Sequence, residues 1–149
     1  MVHALEEIHR VTRPAGTVIE IHPAAVEFPL LEVRSTEELP FSEDDPGFDY
    51  GEDSLHAETA VATVVGRGLF VLEDRRRFEL RTHASSLQEL RDHWAVADAY
   101  DPEEKEETLA RRREEMYARA HEVLERSPGA ELEFVEPAMM SRLTPSAKA

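Results

Sequence analysis

Glu20 and His22 are the residues whose types and spacing best suit chemistry in this chain. They close the run Thr17-Val18-Ile19-Glu20-Ile21-His22, whose β-branched residues predict a strand. Two positions apart on a strand, they share one face of it. If that strand is parallel, its carboxyl end is where ligands gather in an open α/β sheet. An imidazole that titrates near neutral pH can take a proton from a hydroxyl or an amine, and a neighbouring carboxylate can orient it. The plainer alternative is that the two residues only pair with a covering helix.

Other candidates are weaker. The seven histidines show no His-x-x-x-His or His-Glu-x-x-His spacing, so no metal site is predicted, although His83 and His93 flank a helix start and could approach one another. Gly66-Arg67-Gly68 is the only Gly-x-Gly, but it runs from a predicted helix into a strand. A phosphate-binding turn runs the other way, so that the helix N-terminus faces the ligand; the glycines therefore read as a helix end. Arg75-Arg76-Arg77 is expected to pair with acidic residues of the segment 35–53, and Glu103 to Glu115 reads as a solvated helix face.

Charge narrows the partners. With 32 acidic against 17 basic side chains the formal net charge is −15, which opposes docking on phosphate backbones and on anionic membranes. No nucleic acid and no membrane partner is expected. The absence of cysteine removes disulfides, thiol nucleophiles and thiolate ligands. No stretch approaches the ~20 apolar residues of a membrane span and no leader pattern opens the chain, so a cytoplasmic location is expected.

The elements that must position Glu20 and His22 follow from spacing. Ala4, Leu5, Ile8 and Val11 predict a helix ended by Pro14, and Gly16 supplies the turn into the strand 17–22, expected to be buried on both faces of a parallel sheet. Leu30 to Val33 predicts a second strand. Ser35 to Asp53 carries eight acidic residues and no basic one, and predicts a mobile acidic loop placed to act as a lid; in the competing outcome Phe41 and Phe48 dock on the sheet. Leu55 to Val65 predicts a helix, and Phe70 to His83 one bent strand or a hairpin. Leu87, Leu90 and Trp94 mark a capped helix. A long charged helix opens at Pro102 and runs to about Arg126, with Leu109, Met116, Ala120, Val123 and Leu124 as its inner face. Leu132 to Glu136 predicts an antiparallel or edge strand, with residues 145–149 as a frayed tail.

Residues 4 to 21, Ala-Leu-Glu-Glu-Ile-His-Arg-Val-Thr-Arg-Pro-Ala-Gly-Thr-Val-Ile-Glu-Ile, resemble a signature of class I (Rossmann-like) S-adenosylmethionine-dependent methyltransferases that act on small molecules. The signature is approximately Ala-Leu, an acidic pair, a hydrophobic residue, x-Arg, Val-Leu, a basic residue, Pro-Gly-Gly and an apolar strand; here Thr12 replaces the leucine and Ala15 the first glycine. The resemblance implies that these residues form the helix before the fifth strand and that strand itself. It further implies that Phe70 to Thr82 enters a substrate-side lobe and that Leu132 to Leu143 closes the sheet. The implied fold is α/β, a partial Rossmann-like methyltransferase sheet with flanking helices and an antiparallel closing strand, forming a half-domain over residues 1–144.

In that family a glycine-rich turn after the first strand and an acidic residue ending the second hold the cofactor. Both would lie upstream of Met1, and Met1-Val2-His3 looks like the interior of a longer pattern. S-adenosylmethionine is thus implied by the family and is not expected to bind this chain alone. The expected partners are a small-molecule substrate, in a complete enzyme, and either an N-terminal half or a second copy of the chain. The alternative function is a non-catalytic interaction or oligomerisation module derived from the same fold, associating through an open strand edge.

Overall fold

The computed structural model describes residues 1–24, 28–45, 51–98 and 107–147. The order of elements is α1 (Val2–Val11), β1 (Val18–Pro23), β2 (Leu30–Arg34), β3 (Phe41–Asp44), α2 (Gly51–Gly66), β4 (Phe70–Ala84), α3 (Leu87–Asp98), α4 (Glu107–Arg126) and β5 (Glu131–Pro145). The architecture is mixed α/β with an antiparallel sheet: β1, β2 and β4 all pair with β5, and β3 pairs with β2. The chain divides into two compact units, one of residues 1–27, 50–79 and 137–149, the other of residues 28–49 and 80–136.

In the first unit, α1 ends where Thr12 becomes extended (φ −78°, ψ 139°), two residues before Pro14. Gly16 then donates its N–H to the Arg13 carbonyl at 2.8 Å. A Cβ at Gly16 would stand 2.6 Å from Thr12 Cγ2, so the turn needs glycine for close approach. α2 packs Ala57, Ala60, Val61 and Val64 inward at helical spacing, and a small core forms from Leu5, Ala60, Val61, Val64, Phe70 and Leu143. Gly68, at φ +72°, closes α2 in the left-handed conformation that glycine adopts without strain.

The second unit is built on β2 and the first half of β5, which pair from Leu30↔Val135 to Arg34↔Glu131. One face supplies Leu31, Val33, Leu132 and Phe134 to a core closed by Trp94 of α3 and by Met116, Tyr117 and Ala120 of α4. α3 starts on reciprocal capping bonds: Ser86 Oγ accepts from the Glu89 N–H, and Glu89 accepts from the Ser85 N–H and hydroxyl. Those bonds hold the Glu89 carboxyl below its ordinary range.

Several expectations need correction. β1 is not a parallel strand buried on both faces: it pairs antiparallel with β5, and Ile19 and Ile21 are 51% and 54% exposed. The β-branched run fixed a strand but not its direction, because hydrophobic character records burial and not pairing. α1 is turned relative to the predicted stripe, with Val2 and Leu5 inward and Ala4, Ile8 and Val11 exposed. The segment 35–53 is not one loop. Within it Phe41 is buried at the start of β3, Asp45 is fully buried, and residues 51–53 begin α2, while residues 46–50, Phe48 among them, lie outside the described residues.

β4 is a single strand of 15 residues and not a hairpin. β5 is no edge strand, since three others pair with it, and it continues through Pro145; Ser146 still donates to the Leu69 carbonyl at 2.9 Å, so the predicted tail is ordered up to there. The predicted helix start at Pro102 and the last two tail residues fall outside the described residues. Among the described residues no helix is long and apolar enough to cross a membrane.

Candidate functional site

Glu20 and His22 sit on the inward face of β1, and the structure joins them. His22 Nδ1 lies 2.7 Å from Glu20 Oε1. A carboxylate oxygen only accepts, so Nδ1 carries the proton and donates it, which leaves Nε2 at the other side of the ring. Both side chains are buried, at 5% exposure for His22 and 9% for Glu20. Directly across the β1–β5 ladder, Ser141 stands opposite Glu20 and Met139 opposite His22.

The third member comes from α2. Glu58 Oε1 is 3.8 Å from His22 Nε2, and the same oxygen accepts a hydrogen bond from Arg75 of β4 at 2.8 Å. Glu58 and Arg75 are each about one-third exposed, so this pair forms the solvent end of the group and Glu20 the closed end. Sequence reasoning missed Glu58. Its position one residue beyond the inward Ala57 of α2 was the available signal, but nothing in the sequence placed α2 over β1.

The pair meets a covering helix, as the plainer of the two expectations has it. It is also an oriented acid–imidazole dyad whose second nitrogen is unsatisfied: among the described residues, none lies within hydrogen-bond distance of His22 Nε2 or Glu20 Oε2. Such a dyad can hold or accept a proton at Nε2.

Other candidates resolve plainly. Gly66-Arg67-Gly68 ends a helix, and Arg67 pairs with Glu6 at 2.6 Å. Arg75 and Arg76 do not pair with the 35–53 segment as expected. Arg75 takes Glu58, and Arg76 takes Asp74 two residues away, because β4 returns directly from α2 within its own unit. The acids of the 35–53 segment instead meet α4, with Arg113 on Asp45 and Arg119 on Glu43, the latter holding the Glu43 carboxyl below its ordinary range. His83 faces Glu131 and Glu133, whereas the His93 ring rests edge-on against Trp94 at 4.9 Å. Among the described residues, no group of three or more His, Asp or Glu is arranged to hold a metal ion.

Among the described residues, the glycine turns at Gly16, Gly68 and Gly129 each lead from a helix into a strand. Comparison with family models, with curated proteins and with solved structures gives no match.

Proposed function

We propose that this chain is the substrate-side half of a class I, Rossmann-like methyltransferase acting on a small molecule, with the cofactor half supplied from elsewhere. The observation that carries the proposal is the unit α1–Gly16 turn–β1. The residues that resemble the family signature form one helix–turn–strand, and β5 lies antiparallel along β1, as a closing strand is expected to do. Glu20 and His22 share the inward face of β1, where a dyad can hold a methyl acceptor's proton and orient its lone pair.

Mapping the transcript upstream of the Met1 codon, then expressing what it encodes with this chain, tests the proposal. The expected product carries a glycine-rich strand-to-helix turn and binds S-adenosylmethionine. A transcript with no such turn in cis or in an adjacent frame counts against it.

A second reading, an association module, is favoured by one feature. β1 ends the strand order, and its Ile19 and Ile21 are exposed. An edge strand with an apolar outer face is a template for another chain.

A further inference from the structure

We infer that the Glu20–His22–Glu58 group is a binding site for a primary ammonium, so that the small molecule this chain receives is a primary amine. Four side-chain atoms of the first unit are buried with no hydrogen-bond partner among the described residues: Glu20 Oε2, His22 Nε2, Ser54 Oγ and Ser141 Oγ. They belong to three elements of that unit. Glu20 and His22 share one face of β1, Ser141 stands opposite Glu20 on β5, and Ser54 lies one turn before Glu58 on α2, hence on the same side of the helix. Native proteins leave few buried polar groups unmade, and each is costly. Glu20 Oε2, His22 Nε2 and Ser141 Oγ, brought together by the β1–β5 register, point to a polar guest.

The chemistry of these atoms and of the neighbouring Glu58 carboxylate selects the guest. Glu20 Oε2 and the Glu58 carboxylate can only accept. His22 Nε2 also accepts while Nδ1–H is committed to Glu20. The serine hydroxyls adapt. The unpartnered atoms are thus mostly acceptors, and a primary ammonium brings three donors on one small atom.

Charge agrees with this. Two carboxylates, Glu20 and Glu58, stand against one guanidinium, Arg75, and this excess of acidic side chains favours a cationic guest. A metal ion is the poorer occupant, because the carboxylates and the imidazole are not arranged as a ligand set. The guest would reach His22 past Glu58 and Arg75, the solvent-exposed pair. On binding, one ammonium proton can pass to His22 Nε2. That gives an imidazolium flanked by Glu20 and Glu58, and an amine with a free lone pair. The fate of that lone pair as a methyl acceptor rests on the function proposed above, whereas the binding does not.

The test uses the whole chain with methylammonium as the probe, tetramethylammonium as a control of equal charge without N–H donors, and the His22 ring nitrogens read by long-range proton–nitrogen correlation at fixed pH and ionic strength. Methylammonium is expected to shift Nε2 saturably, with a dissociation constant on the order of 10 mM for so small a ligand. Tetramethylammonium should not. Glu20→Gln and Glu58→Gln should each weaken binding about tenfold or more, and the second, at a partly exposed side chain, leaves the fold intact. An equal response to tetramethylammonium, no saturable response, or unchanged binding in both variants overturns the inference. Binding of methylammonium by a chain whose completed form transfers no methyl group would uphold this site and reject the methyltransferase proposal. Transfer to hydroxyl acceptors alone would do the reverse.

Discussion

Arg75 and His22 converge on one oxygen of Glu58, Arg75 at 2.8 Å and His22 Nε2 at 3.8 Å. The guanidinium holds Glu58 at the solvent end and competes with any cation that enters. Arg75→Gln should therefore strengthen methylammonium binding several-fold in the same titration. The pair is partly exposed, so stability should fall by no more than about 1 kcal/mol. Weaker binding in this variant would mean that Arg75 shapes the site and does not guard it.

Glu32 and Glu133 stand directly opposite one another on the β2–β5 ladder, with side chains 6% and 10% exposed. Like charges in register repel, and Arg81 offsets this by bonding to both, helped by Arg34. Arg81→Met should cost about 3 kcal/mol in urea unfolding, since it strands two buried carboxylates. A loss below about 1 kcal/mol would show that Arg34 suffices.

Tyr117 lies on the buried face of α4, and burial pushes its phenol up to about 12. The fold thus favours the neutral phenol. The associated stability is fully present below pH 10, the ordinary tyrosine value, and is lost as pH rises towards 12. The loss should reach about 3 kcal/mol at most. Tyr117→Phe should flatten that alkaline decline in urea midpoints, and an identical decline in the variant would assign it to other groups.

The exposed Ile19 and Ile21 on an edge strand predict self-association at high micromolar concentration, measured by sedimentation. Ile21→Lys should shift the chain to monomer with its melting temperature nearly unchanged. A parent that sediments as a clean monomer at that concentration would remove the association reading.

Much of the element list was legible because periodicity and punctuation carry it. Leu90 and Trp94 are buried on α3 as their spacing predicts, Gly68 ends α2, and β2 runs over the predicted residues. What the sequence did not carry was pairing. The run Val18 to His22 is apolar enough for a doubly covered strand, yet it has one exposed face, because the partner that decides direction lies about 120 residues away in β5. The same holds for the site. Glu20 and His22 were readable from strand alternation, but Glu58 and Arg75 reach them only through the packing of α2 and the return of β4. The predicted inner face of α4 contained Met116 and Ala120, but not Arg113 or Tyr117, because a buried arginine is invisible until its partner Asp45 is placed.

The most direct measurement is transfer of a labelled methyl group from S-adenosylmethionine to a small primary amine, comparing this chain alone, the chain completed by the proposed cofactor half, and the completed protein with His22→Ala. The proposed function predicts no transfer by the chain alone, transfer by the completed protein, and a loss of about 100-fold or more when His22 is removed. Transfer that is indifferent to His22, or a completed protein that neither binds the cofactor nor transfers the label, would contradict it.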